Sequence, residues 1–390
     1  MRIVAIVLRR GVPSSNRRTR LSVVGAFLAV CLFAWFGVFG SPPVGGGSVP
    51  PPNDGPASSP PAGVTHAAPE LGLFEDLQYL TGPALDRRLD EYAALGVQWA
   101  RFQVIWADVQ RGGPDSYDWS HHDGLVQGLQ KRGIKALAVL GTSPGWAQRA
   151  LGCSGDTCAP TYPAQFGAFA RTVATRYAGR VAAWEVWNEP NIVVFYRPQP
   201  DPIAYTALLK SVYPAIKGAD PGTTVLVGGP APAVTTTDST GLTTAINPVS
   251  FMQDLYNLGG QGYFDAVGWH PYSYPAMPRG ADPGSTWVQM DGVRGLMSAH
   301  GDGGKKIWAT EFGAHTDPMA EGYLSEAQQA AYFAIGIDLW RGYRWAGPMI
   351  IYQLRDRGTD IGDRENFFGL ERADGSHKPS YAAVRAWLPR

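Results

Sequence analysis

From about residue 69 onward, short apolar runs alternate with longer stretches whose apolar residues recur at helical spacing. The runs are QWARFQV (98 to 104), KALAVLG (135 to 141), VAAWEVW (181 to 187), TVLVGG (224 to 229), FDAVGWH (264 to 270), KIWATEF (306 to 312) and PMIIYQL (348 to 354). Between them lie segments such as LDRRLDEYAALG (85 to 96), FGAFARTVATRYAG (166 to 179) and SEAQQAAYFAIGIDLW (325 to 340). Near-continuous apolar strands separated by amphipathic helices are βα units, which build a parallel sheet covered by helices. The last five runs recur about every forty residues. Seven strands are visible, and an eighth is expected N-terminal to residue 85, at either AGVTHA or ELGLF. Eight such units predict an α/β fold, a (β/α)8 TIM barrel over residues 69–390, with catalytic groups at the C-terminal strand ends.

The pattern before residue 69 differs. Residues 21–40, LSVVGAFLAVCLFAWFGVFG, are uncharged and mostly apolar, long enough to cross a hydrocarbon core of about 30 Å. Arg2, Arg9, Arg10, Arg17, Arg18 and Arg20 precede this span, and the first carboxylate is Asp54. The positive-inside rule therefore predicts a cytoplasmic tail (1–20), a single transmembrane anchor (21–40) and an extracytoplasmic remainder. Secretion after signal cleavage is the alternative, but an h-region is usually shorter and no Ala-x-Ala site closes this one. Residues 41–68 are rich in Pro, Gly and Ser, a composition that reads as a linker. Cys31 lies in the apolar span, while Cys153 and Cys158 bracket CSGDTC; two cysteines in an exported loop are expected to form a local disulfide.

Composition narrows the chemistry. The chain has 390 residues, 45% of them hydrophobic, and a formal net charge of zero, so it lacks the basic balance that drives nucleic-acid binding. It has no His-Glu-x-x-His, phosphate-binding glycine loop, Rossmann fingerprint or Gly-x-Ser-x-Gly elbow. No metal or organic cofactor is implied.

What remains is WEVWNEPN, Trp184 to Asn191. The run is strand-like through Trp187, which sets Asn188 and Glu189 at a C-terminal strand end, with Pro190 helping to end the strand. Glu311 in IWATEFG holds the equivalent place three strands later. Two carboxylates facing each other across a barrel mouth are what retaining glycoside hydrolysis requires, one as acid/base and one as nucleophile. Glu189 reads as the acid/base, in low-charge, Trp-rich surroundings that raise a carboxyl pKa, and Glu311 as the nucleophile. Asn188 is placed to donate to a sugar 2-hydroxyl. Trp106, Trp146 and Trp187 are candidate sugar platforms. Arg355 and Asp356, beyond the last strand, are expected to pair with each other.

These motifs resemble those of the retaining glycoside hydrolases of clan A, nearest to family 39 (β-xylosidase-like) and family 5 (cellulase-like), over nearly all of residues 69–390. WEVWNEPN is similar to the clan's Asn-Glu-Pro acid/base signature, TEFG to its nucleophile strand, and HPYSY (270 to 274) to its His-x-Tyr pattern on strand six. The resemblance implies that Tyr272 hydrogen-bonds the nucleophile, that Arg101 in ARFQVIW keeps it ionised, that His270 lies in the site, and that Trp106 belongs to a loop frequent in the clan. Two positions depart from the pattern: Tyr352-Gln353-Leu354 replaces a strand-eight tryptophan, and Gly141-Thr142 stands where family 5 commonly has histidine. The expected function is retaining cleavage of β-type O-glycosidic bonds in an extracytoplasmic oligo- or polysaccharide. The alternatives are a non-catalytic polysaccharide-binding barrel of an envelope or export complex, and a transglycosylase using the same residues.

Overall fold

The computed structural model describes residues 70–148 and 153–389. The predicted tail, apolar span and linker, with Cys31 and the alternative first strand AGVTHA, lie outside the described residues. Among the described residues, no helix is long and apolar enough to cross a membrane.

The chain runs β1 (Leu71–Phe74), α1 (Gly82–Leu95), β2 (Trp99–Ile105), the short α2 (Trp106–Val109), α3 (Ser120–Lys131), β3 (Lys135–Gly141), α4 (Pro163–Arg176), β4 (Ala183–Val186), α5 (Pro202–Ala219) and β5 (Thr224–Val227). A hairpin, β6 (Thr236–Thr237) and β7 (Thr243–Ala245), then precedes α6 (Pro248–Asn257), β8 (Ala266–Trp269), α7 (Thr286–Ala299), β9 (Lys306–Phe312), α8 (Glu326–Gly342), β10 (Ala346–Tyr352) and α9 (Pro379–Arg385). Eight strands close into a barrel in the order β1-β10-β9-β8-β5-β4-β3-β2, and every barrel pairing is parallel. The first strand is ELGLF, with Leu71 to Phe74 seated between β10 and β2.

Local signals explain the element ends. Leu85, Leu89, Tyr92 and Leu95 bury one stripe of α1, which stops at Gly96 in the left-handed region (φ 88°), the usual glycine C-terminus. Asp201 and Asn247 cap α5 and α6 through their side chains, and Ser325 with Gln328 forms a capping box on α8. The hairpin 236–245 has no apolar alternation to announce it, since its two strands are four threonines and one alanine.

Two apolar zones result. A large core lies between the strands and the helix ring. A smaller one, built on Trp99, Leu137, Ala183, Leu226, Trp308 and Ile350, plugs the barrel interior. Above that plug the interior turns polar.

Candidate active site

Arg101 projects from β2 into the barrel and is fully buried. Its Nε donates to Glu185 Oε2, its Nη1 to Glu311 Oε1 and its Nη2 to Asn188 Oδ1, each at 2.7 Å, while its guanidinium carbon lies 4.6 Å from the Phe74 ring centroid. An isolated buried charge would cost several kcal/mol; here two carboxylates, an amide oxygen and a ring face replace its water. All three donating nitrogens are spent on site residues, so Arg101 fixes their mutual geometry.

Glu185 is fully buried within β4. Besides Arg101 it accepts from Gly229 N at 2.8 Å and from Thr310 Oγ1 at 2.9 Å. A side chain at Gly229 would meet the His270 ring at 2.5 Å, and one at Gly268 would meet Glu185 Oε1 at 2.8 Å. Glycine at both places therefore leaves room for the buried carboxylate and the imidazole. The sequence reading missed Glu185 because, inside WEVW, it looked like one more strand residue; its partner Arg101 and the two glycines are distant in sequence.

β4 ends at Val186, earlier than the expected Trp187, and the chain turns before Pro190 is reached. Trp187 (φ 71°) and Glu189 (φ 46°) both adopt the left-handed region, which costs a non-glycine residue of order 1–3 kcal/mol. The turn is held by Trp187 N on Leu140 O (2.7 Å) and Glu189 N on Gly229 O (3.1 Å). Glu189 Oε1 lies 2.9 Å from His270 Nδ1, and His270 Nδ1 lies 3.6 Å from Glu311 Oε2. Tyr272 donates its hydroxyl to Glu311 Oε2 at 3.0 Å. Glu189, Glu311, Arg101, Asn188, His270 and Tyr272 are thus gathered at one barrel mouth.

The two glutamates are driven apart electrostatically. Burial pushes the Glu189 carboxyl above the usual carboxylate range, outweighing its hydrogen bond to His270. Burial acts the same way on Glu311, but the charges of His270 and Arg101 and the bonds from Tyr272 and Arg101 outweigh it and hold that group below the range. His270 is lowered by its own burial yet raised overall by the two facing carboxylates. Glu189, His270 and Glu311 offer ligand atoms all within 4.8 Å of one another. A cation there would compete with the guanidinium and phenol already bonded to Glu311, so the set is better suited to exchanging protons than to ligating a metal.

The aromatic expectations fare unevenly. Trp106 is fully buried and packs on Trp146, Phe166 and Phe169. Trp187 is also buried, packing on Phe166 and Tyr196 and donating to Phe195 O. Neither presents a face for a sugar, which corrects that reading: both rings fill the space between barrel and helices. Trp146 is half-buried in the loop after β3, with Nε1 donating to Gln110 O at 2.8 Å. Cys153 and Cys158 are joined in a disulfide. Arg355 and Asp356 do not pair with each other: Arg355 binds Glu91 and Glu371, and Asp356 binds the buried Lys378 at 2.8 Å.

Comparison with solved structures places this geometry in context. A family 39 glycoside hydrolase from the gut symbiont Bacteroides cellulosilyticus WH2 superimposes with a TM-score of 0.64 at 23% identity, covering 82% of this chain and 64% of that one. It shares the fold of solved glycoside hydrolases. A GH5_18 protein from Streptomyces cattleya in complex with GlcNAc matches with a TM-score of 0.59 at 18% identity (84% and 83% of the two chains). Xylanase 10B from Thermotoga petrophila RKU-1 in complex with xylobiose matches with a TM-score of 0.56 at 14% identity (82% and 93%). At these identities the likeness establishes the barrel fold. The chain spans just under two thirds of the Bacteroides protein's length. No family model matches the chain, nor does any curated protein sequence.

Proposed function

We propose that this chain is a retaining glycoside hydrolase that cleaves β-type O-glycosidic bonds with Glu311 as nucleophile and Glu189 as acid/base. One observation carries the reading: a half-buried and a buried carboxylate with ligand atoms within 4.8 Å of each other, one pushed up and the other held down. That spacing is close to the roughly 5–5.5 Å of retaining pairs and short of the 6.5–9.5 Å that leaves room for a water in inverting ones.

In the first step the ionised Glu311 forms a bond to the anomeric carbon as the glycosidic bond breaks, and protonated Glu189 gives its proton to the departing oxygen. The Glu189 carboxylate then takes a proton from water, which attacks the same carbon and releases Glu311. Arg101 and Tyr272 hold the Glu311 oxygens in place, so one remains aimed at the substrate. His270 stands between the two carboxylates and adjusts to the charge that passes from one to the other. Asn188, with its oxygen committed to Arg101, has its amide NH2 for a sugar 2-hydroxyl. The β configuration is supported by neighbours of the same fold, one solved in complex with Manb1-4GlcNAc and another being a beta-galactosidase from Halorubrum lacusprofundi. A binding module would have no use for a carboxylate pair with opposed shifts.

The proposed setting is extracytoplasmic, tethered by residues 21–40, and the Cys153–Cys158 disulfide supports an oxidising compartment. Incubation of the full-length protein with a panel of aryl β-glycosides tests the activity. Turnover of at least one, lost in Glu311→Ala, is expected; a folded protein that turns over none contradicts the reading. Protease added to intact cells should digest the barrel; a protected barrel contradicts the proposed topology.

A further inference from the structure

The hairpin of β6 and β7 forms a two-stranded sheet of its own outside the closed barrel, and it has no part in the proposed double displacement. Residues 234–242 are all exposed. Its base, in contrast, is fixed to the segment that bears Glu189. Asn191, two residues beyond Glu189, is fully buried. Its Nδ2 donates to Ala231 O and Ile246 O, both at 2.9 Å, and its Oδ1 accepts from Ala231 N at 2.8 Å, so one amide grips both legs of the hairpin. Ile246 N on Asn191 O and Val193 N on Thr244 O, each at 2.8 Å, complete the joint. An acid that protonates the departing oxygen has the leaving group on its own side of the mouth. Glu189 follows β4, and β5 is the barrel neighbour of β4. A hairpin that follows β5 and is joined to the Glu189 segment therefore flanks the path of the leaving group.

The hairpin is polar in sequence but offers little polar surface to a ligand. Thr235 Oγ1 accepts from Asn247 N, Thr236 Oγ1 donates to Val234 O, Thr240 Oγ1 donates to Asp238 Oδ1 and Thr244 Oγ1 donates to Thr236 O. Asp238, the one charged residue between 234 and 245, also accepts from Thr240 N and Leu242 N. With these groups engaged inside the hairpin, what stands free is apolar: Val234 is 79% exposed and Leu242 45% exposed. From this placement we infer that the hairpin binds the aglycone, and that the leaving group of the natural substrate is an apolar alcohol rather than another sugar. The inference names the substrate class of the glycosidase reading and rests on it. A hydrocarbon chain laid on Val234 and Leu242 gains by leaving water. A second sugar would bring hydroxyls that need polar partners once desolvated, and on the hairpin those partners are already bonded to each other.

The test uses the full-length protein and n-alkyl β-glycosides, ethyl to octyl, of the sugar whose aryl β-glycoside is turned over fastest, all below their micelle concentrations. These alcohols leave almost equally well, so the dependence on chain length reports contact with the protein. For the wild type, kcat/KM should rise about twofold per added methylene, against the roughly fourfold of complete burial. The corresponding β-linked disaccharide should be at least about tenfold poorer than the octyl glycoside. The double variant Val234→Ser, Leu242→Ser, changed only at exposed positions, should flatten the chain-length dependence. Met319→Ser, at a 70% exposed position in the loop after β9, should leave it intact. A flat series, preference for the disaccharide, or a double variant with the wild-type dependence would overturn the proposal and leave the hydrolase reading standing. Calorimetry with methyl and octyl 1-thio-β-glycosides of glucose, galactose, mannose and xylose separates the two readings when no glycoside is turned over. Octyl binding tighter than methyl in the wild type but not in the double variant would then fail the hydrolase reading and keep this one. Equal binding of the two, or none, would fail both.

Discussion

The same eight strands have two very different ends. At the lower end the interior is filled by Trp99 against Trp308 (5.0 Å between centroids), with Leu137, Ala183, Leu226 and Ala266 completing the plug. At the upper end the interior holds Arg101, Glu185, Glu189, His270 and Glu311, nearly all out of contact with water. Hydrophobic burial stabilises the first arrangement directly. The second is maintained against its own desolvation, because each charge has a partner and the plug below excludes alternatives. On the proposed function, stability and chemistry are segregated along the barrel axis, and substitutions at the two ends should separate them.

The largest separation is expected for Glu311→Ala, which should lower kcat by about 10^4-fold or more on every substrate while the protein stays folded. Glu189→Ala should instead spare substrates whose leaving group departs without protonation, which rate measurements on a leaving-group series would check. Next comes Arg101→Met, where both properties should fail together. Glu185 would be left as a buried charge without its cation, at a cost of about 3–5 kcal/mol in chemical denaturation, and Glu311 would lose its main restraint.

Trp308→Ala probes the other end. It should cost about 3–5 kcal/mol with kcat near wild type in whatever fraction remains folded. A large loss of kcat there would break the proposed segregation.

The pH profile sharpens the comparison. Under the proposed mechanism, activity needs Glu311 ionised and Glu189 protonated. kcat/KM should fall at low pH through the depressed pKa of Glu311 and at high pH through the raised pKa of Glu189. The Tyr272 bond is one of the influences holding Glu311 down, so Tyr272→Phe should move the acid limb to higher pH, with a loss of about tenfold at the optimum. Cys153→Ser should have the smallest effect: opening so short a loop costs about 2 kcal/mol at most, and the chemistry should be unchanged.

The plug and the helix ring were readable in the sequence because each depends on a local period. KALAVLG and KIWATEF coincide with β3 and β9, and the stripe in 85–96 matches the buried face of α1. The placement of Glu189 and Glu311 was readable because the apolar runs WEVW and KIWATEF end beside them. The rest depends on contacts between distant residues. Glu185 is recognisable only once Arg101, Thr310, Gly229 and Gly268, all distant in sequence, surround it. In sequence, aromatic residues near a motif look the same whether they face the cleft or the helices; for Trp106 and Trp187 only packing on Phe166 distinguishes them. The Thr-rich hairpin after β5 carries no hydrophobic period at all.

The central claim is that two carboxylates this close act as nucleophile and acid/base in a double displacement. Proton NMR of the first product formed by the wild-type protein from a β-glycoside tests it directly. The account predicts that the β-anomer appears first and mutarotates later; an α-anomer appearing first would contradict the roles given to both Glu189 and Glu311.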